Sequence, residues 1–458
     1  MFALLLVPLF LIAALAIDFG NLSQVHESGQ NAVDEAALSG AGLLGQKTDS
    51  DAQVATAVEA YLQENFSGIT SSEWDNCPAT STPPGFSAPV GTVENCVTFN
   101  GASSAISVVL PPQLVRYAFA QAGALRGTTI ETSATAMATV GTSPCAICVL
   151  GPSGLTFSDT GSGTFTVTDT DGGSAGILVD SNASPALKIT GSGSLTAPTI
   201  GVVGSTGVTG SGTFSPAPAT GVQPVSDPLA YLSPPPSGTT VQAATYTCSG
   251  SSCSPNPIPA GTYSDISVTG GASVTIPPGT YNSISVGQGG LVLESGIYVI
   301  TGQFSVPNTS SVTEIANGGS TGVLLYFTCS SSSGGTTQTA ACSSGETGGS
   351  LSLTGSPTVD LSPMTSGPYA GVTVFYDRNN SSATQITGGG GIQLSGTFYA
   401  KSSALTMNGS GGAISSMVVV GSVTISGGGS LAVDYSSSEN AQLPGVPYLC
   451  SVQAGNCP

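Results

Sequence analysis

A glycine and tyrosine pattern repeats between residues 259 and 300, and it constrains the fold more than any other feature of the sequence. Three segments share it: PAGTYSDISV, PPGTYNSISV and SGIYVI. In each segment a glycine stands two positions before a tyrosine: Gly261 and Tyr263, Gly279 and Tyr281, Gly296 and Tyr298. Recurrence at a nearly constant short interval indicates one supersecondary unit stacked on itself. The pattern therefore predicts a long surface rather than a deep pocket.

The charge balance excludes nucleic acid as a partner. The chain has a formal net charge of −19, and only 7% of its 458 residues are charged. Its basic residues are scattered along the sequence: Lys47, Arg116, Arg126, Lys188, Arg378 and Lys401. Without a basic patch, no surface can neutralise a run of phosphates. Disorder is also disfavoured, because 40% of the residues are apolar and many lie in alternating runs.

Residues 145–440 consist of short β-prone runs separated by Gly, Ser and Asn turns, without helical periodicity. We predict a mainly β fold here, a right-handed parallel β-helix with three short strands per coil. Stacking at ~4.8 Å buries an inner column of Val, Ile and Leu. Ile266 then lies above Ile284, and the three repeated glycines occupy equivalent corners. A β-sandwich array is the alternative, but it leaves the repeat unexplained.

One tract of this body does not fit a coil. Asp227–Pro236 ends in three prolines, which cannot donate to a strand ladder. We predict that it lies as a strap against the coils, with Cys248 and Cys253 pinning its end.

The ten cysteines fall into five close pairs: Cys77/Cys96, Cys145/Cys148, Cys248/Cys253, Cys329/Cys342 and Cys450/Cys457. Neighbouring pairs in polar loops predict local disulfides and an oxidising compartment. Cys329–Cys342 encloses mostly Ser, Gly and Thr, which predicts an exposed loop closed by its bridge. A redox dithiol at Cys145 and Cys148 is the alternative for that pair. A zinc site is disfavoured, since His26 is the only histidine.

The N-terminus predicts a membrane anchor followed by an amphipathic helix. Phe2–Ile17 is apolar throughout except for Pro8, and as a helix it measures about 24 Å. A cleaved signal peptide is the alternative, although no Lys or Arg precedes the run. A start upstream of Met1 would account for the missing basic flank. A stripe of mostly small residues follows on one helical face: Leu22, Val25, Gly29, Ala32, Val33, Ala36 and Gly40.

These first residues carry a family resemblance. IDFGNL at 17–22 and QNAVDEAALSGA at 30–41 resemble the opening of the TadG-like proteins of the tight-adherence (Flp) pilus assembly system. The matching positions are Asp34, Ala36, Ala37, Leu38, Gly40 and Ala41. The resemblance covers about the first 45 residues well. It implies a role in pilus assembly, and such proteins often carry a small α+β unit next.

Residues 46–144 predict that α+β unit. Asp49 and Ser50 offer caps for a helix that runs to about Phe66. The expected later elements are strands at 97–99 and 105–110, a helix at 113–125 and a strand at 128–140. Arg116, Tyr117 and Arg126 form either a binding face or an ordinary solvated side of the second helix.

No residue pattern predicts catalysis, a cofactor or a metal site. Asp377 and Arg378 are adjacent, and neighbouring residues on a strand point to opposite faces, so a local corner contact is expected for Asp377. Asp169-Thr-Asp171-Gly172 resembles the start of a calcium loop, but its glycine comes too early. An Asp-Gly turn is the better interpretation.

The sequence thus predicts four segments: residues 1–45 as the transmembrane and amphipathic helix, 46–144 as the α+β domain, 145–440 as the parallel β-helix and 441–458 as a disulfide-closed tail. We expect a non-enzymatic, single-pass membrane protein whose bulk is extracytoplasmic, with a structural or adhesive role linked to Tad/Flp pilus assembly. Expected partners are the membrane, pilus assembly proteins and envelope polysaccharide, but no nucleic acid. The alternative is a β-helix protein that binds or cleaves polysaccharide.

Overall fold

The computed structural model divides the chain into two compact units. Unit 1 comprises residues 1–141 and 443–458, and unit 2 comprises residues 142–442. The structure describes residues 2–450 apart from 47–49, 68, 75, 79–81, 90–95, 102, 120–125, 139–140, 142, 243, 320, 334–335, 389–390, 410–412, 416, 429, 444 and 446. Unit 2 is therefore an insertion in the chain of unit 1. The predicted segments did not include this arrangement.

Unit 1 begins with two helices, α1 (Phe2–Gln46) and α2 (Asp51–Asn65), and a 3-10 turn follows at Ser71–Glu73. The Ser50 side chain caps α2, and Gln53 bonds back to the Ser50 backbone in a capping box. The small-residue stripe of α1 faces the core, since Ala32, Val33 and Ala36 are buried. The predicted helix to Phe66 and the predicted packing stripe are both confirmed.

The strands of unit 1 form an antiparallel sheet and a separate hairpin. The sheet runs β1-β2-β3-β6-β38 and the hairpin pairs β4 with β5. The bounds are β1 (Phe86–Ser87), β2 (Val97–Asn100), β3 (Ala105–Val109), β4 (Gln113–Arg116), β5 (Gly127–Ile130), β6 (Ser133–Ala138) and β38 (Pro447–Cys450). The predicted helix at 113–125 is therefore wrong over 113–116, where Val115 is buried between the exposed Leu114 and Arg116 in a strand-like alternation. The predicted tail contributes β38 to this sheet.

Unit 2 consists almost entirely of strands. The first group is β7 (Cys145–Val149), β8 (Phe157–Gly161), β9 (Thr164–Asp169), β10 (Gly176–Val179), β11 (Leu187–Gly191), β12 (Ser194–Thr196), β13 (Ile200–Val202), β14 (Thr206–Gly210), β15 (Thr213–Ser215) and β16 (Ala219–Thr220). After a long connection come β17 (Thr240–Val241), β18 (Thr245–Cys248), β19 (Thr262–Val268), β20 (Ser273–Ile276), β21 (Gly279–Val286), β22 (Gly290–Glu294), β23 (Gly296–Ile300), β24 (Gln303–Val306), β25 (Ser311–Ile315), β26 (Val323–Phe327), β27 (Cys329–Ser333) and β28 (Thr336–Ala340). The last group is β29 (Ser350–Leu353), β30 (Thr358–Leu361), β31 (Val372–Tyr376), β32 (Thr384–Thr387), β33 (Ile392–Leu394), β34 (Thr397–Asn408), β35 (Ala413–Ser415), β36 (Val418–Gly427) and β37 (Ser430–Tyr435).

Strands of successive coils pair in parallel and build what we call the coil stack. A coil such as β7, β8 and β9 supplies three strands, and each pairs in register with a strand of the next coil. Ile266 pairs with Ile284 and Tyr263 with Tyr281, which confirms the predicted stacking of the first two repeats. The third repeat is shifted, because Gly279 lies opposite Tyr298 instead of Gly296. The ring of Pro278 occupies the space beside Gly296, so that glycine does not take the equivalent corner.

The coils are not stacked in chain order. β36, near the end of unit 2, pairs with β7 and β8 at its start, and β37 pairs with β9. We call this junction the seam. On its other side, β7 and β8 pair with β10 and β11. The first coil of the chain therefore lies inside the stack, and the two open ends belong to β14–β16 and to β18 and β20.

Chain connectivity gives the physical reason for this order. Gly141 and Leu443 form a β-bridge in unit 1, so the two ends of the insertion leave from neighbouring points. Coils stacked in chain order would place their ends about eleven strand spacings apart, roughly 50 Å. Placing the first coil against the last one brings these ends together. The connection between β16 and β18 then has to run back along the stack.

The described residues contain four disulfides, Cys77–Cys96, Cys145–Cys148, Cys248–Cys253 and Cys329–Cys342, as predicted from the spacing. Cys450 is also bridged, and Cys457 lies outside the described residues. The segment between Cys329 and Cys342 is not an irregular loop, because β27 and β28 pair there as an antiparallel hairpin. Its Ser and Thr side chains suit an exposed two-stranded ribbon.

The membrane anchor predicted at Phe2–Ile17 falls mostly on side chains outside the described residues, which on α1 begin at Ile12. Among the side chains that the structure describes, none of the helices is sufficiently long and apolar for a membrane crossing.

Candidate functional site

The strap predicted at residues 227–236 is the middle of a longer connection, residues 221–242, which we call the strap and whose contacts lie on widely separated coils. Near its start, the Val225 N–H donates to Asp180 at 2.9 Å. Further along, the Tyr369 hydroxyl donates to the carbonyl of Ser233 at 3.0 Å, and β17 pairs with β28. About eleven strand pairings separate β16 from β18, or roughly 50 Å. An extended chain of this length reaches about 70 Å, so the strap can make the return without strain.

Asp227 fixes the middle of the strap. Its Oδ2 accepts a hydrogen bond from the Tyr399 hydroxyl at 2.7 Å and one from Lys401 Nζ at 3.3 Å. Arg378 Nε lies 3.8 Å from the same oxygen. The Asp227 side chain is 11% exposed. Both ion pairs found among the described residues involve this carboxylate, although the chain carries few charges.

Arg378 holds the strap backbone as well. Its guanidinium donates to the carbonyls of Leu229 at 2.7 Å and Leu232 at 2.5 Å. It also lies 6.0 Å from the ring centroids of Phe375 and Tyr399, within range of a cation–π interaction. One planar guanidinium thus contacts two strap carbonyls and the Asp227 carboxylate, which fixes both the position and the direction of the strap. We call Asp227, Arg378, Tyr399 and Lys401 the strap lock.

Asp377, next to Arg378, has a separate and local role. It is buried, accepts from the Asn379 N–H at 3.0 Å and contacts the Tyr326 hydroxyl at 3.3 Å. The corner interpretation of Asp377 is therefore confirmed. Arg378 turns away from it toward the strap; both residues follow the end of β31 at Tyr376 and lie outside the strand on which the sequence expectation was based.

A groove of about 780 Å³ opens beside the strap lock, over the corners of several coils. Five serines are among its lining residues, including Ser153, Ser402 and Ser422, and Asp180 and Lys401 supply charges. Burial raises the pKa of Asp180, while its hydrogen bond from Val225 opposes that shift. The second carboxylate of the groove, Asp227, is ion-paired with Arg378 and Lys401. The lining combines hydroxyl-bearing, charged and apolar side chains.

The repeated tyrosines brace the corners of their coils. Each hydroxyl donates to the carbonyl four residues earlier: Tyr263 to Pro259 at 2.8 Å, Tyr281 to Pro277 at 2.6 Å and Tyr298 to Glu294 at 2.7 Å. The rings also stack, with centroids 5.9 and 6.0 Å apart. Burial raises the pKa of Tyr281, as expected for a phenol that stays protonated as a donor. The tyrosines are structural elements of the corners.

The remaining motifs resolve into local structure. Asp169 accepts hydrogen bonds from the N–H groups of Asp171 and Ala175, and Gly172 adopts a φ of +74°. This arrangement confirms the predicted Asp-Gly turn. Cys145 and Cys148 are buried as well as bridged. The two arginines near Tyr117 lie on the hairpin of β4 and β5 instead of on a helix.

Sequence reasoning missed Asp159, a buried carboxyl at the seam. Aliphatic side chains fill the equivalent position of the neighbouring coils: Val208, Ile189, Ile425, Met407, Ile386, Leu353 and Val306. Asp159 is 1% exposed, and neither carboxylate oxygen has a hydrogen-bond partner. Burial raises its pKa. The repeated Thr-Gly-Ser-Gly at 160–163, 190–193 and 209–212 was the signal that could have aligned these coils.

Comparisons with known proteins bear on the N-terminal region. Residues 1–43 match the Tad family model, described as Flp pilus-assembly TadE/G-like. This match agrees with the resemblance seen in the sequence and associates the chain with Flp pilus assembly at the cell envelope. The curated proteins and the solved structures compared with the chain gave no significant match.

Proposed function

We propose that this protein is a non-enzymatic envelope component of a Tad/Flp-type pilus system, anchored in the membrane by its first residues and displaying the coil stack outside the cytoplasm. The match of residues 1–43 to the TadE/G-like model carries the proposal. The apolar run Phe2–Ile17 supports the anchor, and the disulfides fit an oxidising compartment. We further propose that the coil stack is a right-handed parallel β-helix with a structural or adhesive role.

The insertion of unit 2 supports the display role. Both ends of the insertion leave unit 1 at the bridge between Gly141 and Leu443, so one anchor would carry the whole of unit 2, residues 142–442, which is poor in charge. Such a surface is rich in hydroxyl groups and poor in charge, which favours many weak contacts over one specific site.

Anchoring and partnership can be tested together in cells that make the protein. Deleting residues 1–20 is expected to move the chain from the membrane fraction to the soluble fraction, because that deletion removes the apolar run. Cross-linking followed by affinity purification of the full chain is expected to recover pilus assembly proteins. Membrane retention of the truncated chain in high salt would refute the anchor. Recovery of unrelated envelope proteins alone would refute the pilus link.

Polysaccharide binding is a second candidate, favoured by the serine-lined groove beside the strap lock. Ser422→Tyr is expected to fill the groove and weaken binding of isolated envelope polysaccharide to the full chain. Ser426→Tyr, on the same strand but outside the groove, is the matched control. Equal binding by both variants would remove this candidate. Polysaccharide turnover that is lost in Asp377→Asn would instead indicate an enzyme.

A further inference from the structure

The hairpin of β4 and β5 presents apolar and basic side chains on its exposed face. Leu114 and Arg116 project from that face of β4, while Val115 between them is buried. Leu114 is 60% exposed, and Phe119, just beyond β4, is 50% exposed. Arg126 immediately precedes β5 and is also exposed. Two of the six basic residues of a strongly acidic chain thus lie at the same end of one hairpin.

A buried carboxylate ties this end of the hairpin to helix α1. Asp18 is 4% exposed and accepts hydrogen bonds from the N–H groups of Ala118 at 2.8 Å and Phe119 at 3.1 Å. Asp18 directly follows the apolar run Phe2–Ile17. Phe119 is therefore held at the level where that run ends.

Helix α1 exposes apolar side chains at the same level. Ile12, Ile17 and Phe19 are 67%, 56% and 65% exposed. Together with Leu114 and Phe119, they account for a large share of the exposed large apolar side chains among the described residues. The acidic Glu27 lies about 14 Å further along the helix, on the side away from the apolar run.

We propose that Leu114, Arg116, Phe119 and Arg126 form a membrane-contact surface: Leu114 and Phe119 enter the lipid interface beside α1, and Arg116 and Arg126 bind anionic lipid headgroups. This proposal rests on the membrane anchor of the proposed function. A lipid bilayer is the expected occupant because Asp18 holds Phe119 at the end of the apolar run, beside the exposed apolar side chains of α1. Aromatic and basic side chains at that depth are typical of the membrane interface.

Depth-dependent quenching of a tryptophan tests the proposal on the full chain in vesicles of phosphatidylcholine, with or without phosphatidylglycerol. The variant is Phe119→Trp, and Ile315→Trp on unit 2 is the control, since Ile315 is also exposed. The buried Trp74 also emits, so the emission of the unsubstituted chain is subtracted from that of each variant. On addition of vesicles, the emission of Phe119→Trp is expected to shift to shorter wavelength, and with brominated lipid its intensity is expected to fall. The emission of Ile315→Trp is expected to change in neither respect.

The charge contribution has its own variant. Arg116→Gln combined with Arg126→Gln is expected to abolish any extra quenching that phosphatidylglycerol produces at position 119. The outcomes separate the two claims. A chain that floats with the vesicles while Phe119→Trp stays unquenched overturns the hairpin surface and leaves the anchor standing. A chain that does not float overturns both.

Discussion

Replacing Asp159 with leucine should stabilise unit 2, although it changes a charged residue in the core. Asp159 lies between Ile189 and Ile425 in an otherwise aliphatic column, and its oxygens have no partners. Leaving such a group unpaired in an apolar interior costs roughly 1–3 kcal/mol, and leucine has a similar branched outline. Some packing strain near Gly193 offsets the gain, because that glycine closely approaches the Asp159 carboxyl. We expect a net stabilisation of about 1 kcal/mol.

The pH dependence gives this prediction a sign. Burial raises the pKa of Asp159, so the folded chain holds this proton more tightly than the unfolded chain does. The stability that protonated Asp159 contributes is fully present below the pKa of the unfolded chain, about 4, and is lost as the pH rises through the pKa of the folded chain. Asp159→Asn should remove this pH dependence of the stability of unit 2, but it should not give the stabilisation that we expect of Asp159→Leu. Denaturant unfolding of the three proteins at several pH values measures both effects.

A destabilisation by Asp159→Leu of about 1 kcal/mol or more, with an intact fold by circular dichroism, would refute the reasoning. It would mean that the carboxyl makes a favourable interaction at the seam. A wild-type chain and an Asp159→Asn variant whose stabilities follow parallel pH curves would contradict the raised pKa.

Three further substitutions test the corners and the strap. Tyr281→Phe should lower the free energy of unfolding by about 1–1.5 kcal/mol, since it leaves the buried Pro277 carbonyl unpaired. Tyr263 is more exposed, so Tyr263→Phe should lower it by less, and equal losses would contradict the bracing role. Asp227→Asn should weaken the strap lock by about 1–2 kcal/mol and speed proteolytic cleavage within residues 221–242. Asp360 is exposed, and Asp360→Asn should leave the cleavage rate unchanged. An unchanged rate for Asp227→Asn would show that other contacts hold the strap. Gly172→Ala should lower the free energy of unfolding by roughly 1 kcal/mol, and Gly191→Ala should lower it by more. Both glycines have positive φ, but only at Gly191 does the added carbon meet a carbonyl oxygen, at 2.3 Å.

The features that the sequence could predict are those set by local spacing. The interval between the first two Gly-Tyr repeats predicted the pairing of Ile266 with Ile284, and the close spacing of the cysteines predicted the four bridges. A capping residue at Ser50 was sufficient to place α2. In each case the partners lie close in sequence, so a pattern of residue types is enough to identify them.

The coil order could not be predicted in the same way. Parallel edges of similar Val, Thr and Gly composition can pair with one another in many combinations, and the choice at the seam depends on a bridge between Gly141 and Leu443 outside the stack. The pairing of β4 with β5 was missed because Leu-Val-Arg-Tyr suits a helix and a strand nearly equally well. The strap was predicted from its prolines, but its lock depends on Arg378 and Lys401, far away in sequence.

A disulfide across the seam tests the central claim, that the first coil of unit 2 packs against the last. Ser158 and Thr424 are registered partners on β8 and β36. The double variant Ser158→Cys with Thr424→Cys is expected to form an intramolecular bridge under mild oxidation, detected by peptide mapping without reduction. Ser158→Cys with Lys188→Cys is the control, because this pair is adjacent in either coil order. If the control pair bridges while positions 158 and 424 remain reduced thiols, the coils are stacked in chain order, with these positions roughly 50 Å apart, and the account is wrong.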